Sequence, residues 1–202
     1  MIRRKKRQPV KLPTLLAGFL IIIFGFVFSL KSLSQPMESF FSSEPSNQSV
    51  GREEFIAQLV PHAQELQAGY GILPSIILGQ ACLESNFGQS SLASQYNNLF
   101  GVKAYGEQEQ VNLETQEFVN QQWLTIQGDF RVYDSWEESM DDHTMLFVSG
   151  VDWDVHKYEA VLTAKNYQEA AQALQTAGYA TDPTYAEKII AVIEEYDLEQ
   201  YD

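Results

Sequence analysis

Residues 74–88 are PSIILGQACLESNFG. Proline at position 74 suits the first turn of a helix, where its missing N–H removes no hydrogen bond. Ile76, Ile77, Gln80, Ala81 and Leu83 continue a mostly buried helix, and Gly88 marks its end. Glu84 stands at the close of that apolar run. A carboxyl there is partly desolvated, and desolvation disfavours the anion and raises the pKa, as a general acid at neutral pH requires. The competing reading is a surface glutamate near a helix end, facing the negative pole of the helix dipole. Position alone leaves the two readings equal.

Upstream, positions 52–67 place Phe55, Ile56, Leu59, Val60, Ala63 and Leu66 at helical spacing. Pro61 is expected to kink or interrupt that helix, and Gly69-Tyr70-Gly71 to break the chain. Downstream, residues 92–96 suit a short helical turn. Residues 99–133 differ. They contain Gly101, Gly106 and Gly128, with alternation at Val111, Leu113 and Thr115 and at Leu124 and Ile126. That pattern predicts a small antiparallel element of two or three strands. Helix signals then return: Ser135 with Glu138 and Asn166 with Glu169 form capping boxes. Asp182-Pro183 offers an N-cap and first-position proline before residues 185–196. The fold class is α+β, dominated by helix.

The chain has 202 residues, 45% of them hydrophobic, which allows one domain with a sizeable core plus an appendage. Seven of its 13 basic residues lie in positions 1–31, and all 27 acidic residues follow. Beyond position 31, six basic residues face 27 acidic ones, a net of −21. A body so acidic does not hold nucleic acid through phosphate contacts. The lone cysteine, Cys82, excludes an internal disulfide and any multi-cysteine metal site.

The basic residues of positions 3–11 precede 19 uncharged residues at 12–30. At about 1.5 Å per residue this run crosses a hydrocarbon core of roughly 30 Å. The expected organisation is a basic cytoplasmic segment at 1–11, a transmembrane signal anchor at 12–30, a Ser- and Pro-containing linker at 31–50 and an exported domain at 51–202. A cleaved secretory signal is the alternative, and both readings export the domain.

Other residues also carry groups capable of chemistry. Glu117 lies in the strand-like region, where a second carboxylate could face Glu84 across a cleft; taken alone it reads as a solvent-facing strand residue. Cys82 reads as a small buried hydrophobe, there being no local signature of a Cys–His hydrolase. Asp141-Asp142-His143 has no second histidine at ligand spacing and reads as a solvated helix face. Tyr179, beside Gly178, reads as an aromatic at a helix corner, with a groove wall as the functional alternative. No metal or cofactor is expected.

Five segments then occur in order: QACLESNFG at 80–88, YNNLFGVK at 96–103, TQEF at 115–118, FRVY at 130–133 and GYATDP at 178–183. Together they resemble the glucosaminidase domain of glycoside hydrolase family 73, the bacterial peptidoglycan endo-β-N-acetylglucosaminidases. The resemblance implies a lysozyme-like fold with a groove between a helical lobe and a β-hairpin lobe. It also implies cleavage of the β-1,4 bond between N-acetylglucosamine and N-acetylmuramic acid in peptidoglycan strands. Glu84 matches the family's general acid, Glu117 its second acidic residue and Tyr179 a groove tyrosine close to the acid. Asn98, Phe100 and Gly101 match the segment lining the groove. Glu117 either activates water or leaves the substrate's 2-acetamido group to attack, a choice the sequence does not make. A lytic transglycosylase or muramidase on the same fold, and a non-catalytic scaffold of a division or secretion complex, remain alternatives.

Overall fold

A computed structural model describes residues 47–119 and 122–202, with side chains described over 51–115 and 125–202. The basic segment 1–11, the apolar segment 12–30 and the linker up to residue 46 lie outside the described residues. No helix among the described residues is long and apolar enough to cross a membrane.

Helix α1 (Asn47–Tyr70) begins inside the stretch expected to be linker and runs through Pro61. The expected interruption does not occur. Phe55, Ile56, Leu59, Ala63 and Leu66 are buried on both sides of the proline. Burial at roughly 1.5–3 kcal/mol per large side chain offsets the loss of about 3 kcal/mol that a mid-helix proline causes.

Helix α2 (Pro74–Ser85) is the spine of the core, with ten of its 12 residues buried. It packs against α1 and α7 (Tyr185–Glu195), and a Cβ on Gly79 would lie 3.1 Å from Ile193 Cγ1. That close approach explains a glycine in mid-helix. At its N-terminus the Ser75 N–H and Oγ donate to the Asp202 carboxylate at 2.8 and 2.7 Å, placing an anion at the positive end of the dipole. Asp202 is brought there by a 3-10 turn (Leu198–Tyr201). At the other end Asn86, Phe87 and Gly88 all adopt positive φ. Ser85 Oγ accepts the Gly88 N–H at 2.7 Å. The chain therefore reverses immediately beyond Glu84.

Helix α3 (Ser91–Tyr96) follows, capped by Ser90 Oγ, which accepts from the Ala93 N–H. Strands β1 (Gln110–Val119) and β2 (Gln122–Arg131) form one antiparallel hairpin, in register from Gln110↔Arg131 to Val119↔Gln122. Among the described residues this is the whole sheet, with the Lys103↔Phe130 bridge at its base. Among the described residues the strands pair chiefly with each other.

Four further helices complete the body: α4 (Trp136–Ser149), the single turn α5 (Glu159–Leu162), α6 (Tyr167–Thr176) and α7. Ser135 and Asn166 cap α4 and α6 as their spacing predicts. The returning glutamates reach one residue further back than expected. Glu138 accepts from the Asp134 N–H and Glu169 from the Lys165 N–H. Asp182 does not cap α7; Thr184 does so without a side-chain bond. The Asp182 carboxylate instead accepts from both the Thr184 N–H and its hydroxyl at 2.8 Å, closing the turn just before the helix. The architecture is a helical body with one hairpin lobe, an α+β lysozyme-like domain.

Candidate active site

Glu84 occupies the last turn of α2, the part of that helix with some surface open to solvent. Its carboxyl is nevertheless hemmed in by protein, and burial pushes its pKa well above the usual carboxylate range. Two groups oppose burial: the Tyr185 phenol, which donates to Glu84 Oε1 at 2.9 Å, and the charge of Lys188. Tyr185 is the first residue of α7, and its oxygen in turn accepts from Gln80 Nε2 at 2.9 Å. Gln80 is fully buried one helical turn before Glu84. Close packing of α2 on α7 is what brings the three together.

Tyr179 lies in the turn after α6, 2% exposed, with its ring stacked on that of Tyr185 at 5.6 Å. Burial, and then the neighbouring Glu84 charge, raise its pKa well above the ordinary phenol value. Its hydroxyl is 2.9 Å from His143 Nε2. His143 is buried against Phe100, stacked at 3.8 Å, and burial lowers its pKa to about 3. The imidazole is therefore neutral. The site behind Glu84 is thus a wall of aromatic rings with no fixed charge.

Asn98 is 1% exposed, and the bonds of its amide all run to backbone. Its Nδ2 donates to the carbonyls of Val102 and Arg131, and its Oδ1 accepts the Val102 N–H, each at 2.9 Å. Phe100 is buried beneath His143, whereas Gly101 has positive φ and open space where a Cβ would stand. Asn98 thereby fixes the base of the hairpin that carries Glu117. Glu117 lies near the far end of β1, its Cα paired with that of Leu124. Arg131 at the base pairs with Asp142 at 2.8 Å, and the same carboxylate accepts from Tyr133 Oη at 2.7 Å.

The stretch 141–143 is not one solvated face. Asp141 turns to His62, Asp142 to the hairpin base and His143 into the core behind Tyr179. Cys82 is buried, and burial raises its thiol pKa, so it stays protonated. Sequence reasoning missed Tyr185, Gln80 and His143. The signal for Tyr185 was available in its six-residue spacing from Tyr179 across Asp182-Pro183, which lets both rings face one helix end.

A carboxyl desolvated at a helix end and backed by phenols, in a helical body with one hairpin lobe, is compatible with a glycoside hydrolase. Residues 60–198 match the glucosaminidase family, described as mannosyl-glycoprotein endo-β-N-acetylglucosaminidases, and the chain belongs to that family. The chain is 46% identical over 199 residues to the exo-glucosaminidase LytG of Bacillus subtilis, covering 98% of this chain and 70% of that protein. A probable N-acetylmuramidase of Lactococcus lactis is 31% identical, and the chain spans 46% of its length. The crystal structure of the catalytic domain of the autolysin Auto from Listeria monocytogenes superposes with a TM-score of 0.70. It is 34% identical, and the match covers 87% of this chain and 99% of that domain.

Proposed function

We propose that the chain is a peptidoglycan hydrolase that cleaves the β-1,4 bond between N-acetylglucosamine and N-acetylmuramic acid, with Glu84 as general acid. One observation carries this reading: the Glu84 carboxyl is desolvated at an opening in an otherwise closed helix. Burial keeps the proton on at neutral pH, and the leaving oxygen of a glycosidic bond is the base that removes it.

Glu117 serves as the second acidic group, delivered by the hairpin. It activates water in an inverting route, or steadies the ion formed when the 2-acetamido group attacks. The anomer released first separates the two routes: inverted for the former, retained for the latter. Tyr179 supports the acid from behind, Asn98 and Phe100 shape the wall, and Gly101 leaves space for a sugar ring. The hydrophobic segment 12–30 anchors the chain in the cell membrane, and the domain faces the cell wall as an autolysin. That tether supplies local concentration, since a domain with a net charge of −21 beyond position 31 is not drawn to an anionic polymer.

Digestion of purified peptidoglycan by the full chain, with mass spectrometry of the fragments, tests this. Fragments ending in reducing N-acetylglucosamine are expected. Reducing N-acetylmuramic acid would support instead the muramidase reading that the lactococcal relative suggests, and 1,6-anhydro ends a lytic transglycosylase. Fragment lengths early in the digest distinguish internal cleavage from the terminal trimming implied by the name of the Bacillus relative.

A further inference from the structure

We infer that Gln80 and Tyr185 form a directional donor chain that reserves Oε1 of Glu84 as an acceptor, so that the catalytic proton resides on Oε2 and leaves from there. This inference rests on the assignment of Glu84 as the acid and adds two positioning residues to it.

The direction follows from hydrogen counting. A phenol has one hydrogen to donate. Gln80 Nε2 donates to the Tyr185 oxygen at 2.9 Å, so the phenol hydrogen is aimed at the other neighbour, Glu84 Oε1, also at 2.9 Å. A carboxyl oxygen that already receives a hydrogen is the poorer site for a second one. The proton of the neutral acid therefore sits on Oε2.

In the reaction the C1–O bond breaks, its electron pair stays on the leaving oxygen, and that oxygen takes the proton from Oε2. Water supplies the hydroxyl to C1, and its remaining proton restores the acid. Between those events Glu84 is an anion inside protein. The bond from Tyr185 then becomes charge-assisted and strengthens, which makes it worth more after proton transfer than before.

Among the described residues, the groups that bear on Glu84 come from several elements. Lys188 on α7 acts at longer range and is held by Asp182 in the preceding turn. Tyr179 stands behind and reaches neutral His143 on α4, with Tyr158 ahead of α5 beside it. Gln80 lies on the acid's own helix. Removing the Tyr185 hydroxyl leaves burial and Lys188 in place; Glu84 loses its phenol donor, and Gln80 Nε2 loses the oxygen to which it donates.

The experiment is the pH dependence of kcat and KM on peptidoglycan for the full chain and two variants, Tyr185→Phe and Tyr185→3-fluorotyrosine. Loss of the donor moves the alkaline limb of kcat upward by about one pH unit, lowers kcat at its plateau about tenfold and leaves KM within about twofold. The fluorinated phenol is a stronger donor of the same shape and moves the limb downward. A purely structural role would not give opposite signs, and the fluorinated variant keeps the test alive where phenylalanine disturbs folding. An unmoved limb in the fluorinated variant, or an effect on KM alone, overturns the inference. Glu84→Gln, measured alongside, tests the acid itself, so failure of the donor chain is distinguishable from failure of the functional reading.

Discussion

Tyr185 Oη and Glu84 Oε1 are 2.9 Å apart although they lie 101 positions apart in the chain. The contact closes α7 onto the end of α2, the two helices that build the centre of the core. Stability and chemistry are therefore joined at one hydrogen bond, and an alteration at Glu84 should be felt in both.

Glu84→Gln removes the transferable proton while keeping an acceptor for Tyr185. Release of reducing ends from peptidoglycan should fall by about 10²–10⁴-fold. Thermal unfolding at neutral pH should show a Tm equal to or above that of the parent, because an amide avoids the cost of protonating on folding a carboxyl that is ionised in the unfolded chain. Near-parental activity in a folded variant would remove Glu84 from the mechanism.

The buried His143 makes stability depend on pH in a defined window. Its folded pKa is about 3 against an ordinary 6.5, so between those values the unfolded chain takes up a proton that the folded chain does not. Stability from this residue falls as pH drops below about 6.5, amounting to about 2 kcal/mol by about pH 5. His143→Gln, which can still bond Tyr179, should lose this component. His62 acts oppositely. Burial disfavours its protonation, but hydrogen bonds to Asp141 and Glu65 outweigh that and raise its pKa. Its contribution is present below about 6.5 and is lost as pH rises through the folded value. Urea unfolding of each variant at two pH values separates the two histidines.

Gly88→Ala should destabilise by roughly 3 kcal/mol. The backbone there has φ +73°, and an added Cβ would stand 2.8 Å from the Phe55 ring and 3.0 Å from that of Trp136. Those rings pack edge to face at 5.1 Å and join α1 to α4. Differential scanning calorimetry should show a fall in Tm of about 6–12 °C. Recovery of stability by Phe55→Leu in the same background would identify the ring clash as the cause.

The spine of this fold was legible in the sequence because α2 is apolar nearly all round, and such a helix must lie at the centre of a core. The caps of α4 and α6 and the hairpin were legible for similar local reasons. Pro61 misled because its cost is local, whereas the burial that overcomes it is tertiary. Asp182-Pro183 misled because an aspartate that closes a turn has the same sequence signature as one that caps a helix. Glu84 could be placed at the end of a buried helix, but its hydrogen-bond partner could not. Which of Tyr179 and Tyr185 reaches Glu84 depends on how α7 packs on α2, where a Cβ on Gly79 would stand 3.1 Å from Ile193 Cγ1. Asn98 was expected to line the groove, and only the fold shows its amide turned inward to the hairpin base.

That inward turn makes Asn98 a sharp test of how the hairpin contributes. Asn98→Asp keeps the acceptor for the Val102 N–H but deletes the donors to Val102 and Arg131 and sets a negative charge against their carbonyls. The Arg131 carbonyl loses a side-chain donor, the Val102 carbonyl keeps the Arg131 N–H at 3.0 Å, and a buried charge faces both, so a loss of roughly 3 kcal/mol in stability is expected. Because the lost bonds orient the strand that carries Glu117, kcat should fall by about 10-fold or more while KM changes little. A residue that held the sugar directly would instead raise KM with kcat preserved. Steady-state kinetics on soluble peptidoglycan fragments distinguish these outcomes. A pure KM effect would place Asn98 in contact with substrate and set aside its role as the anchor of the hairpin.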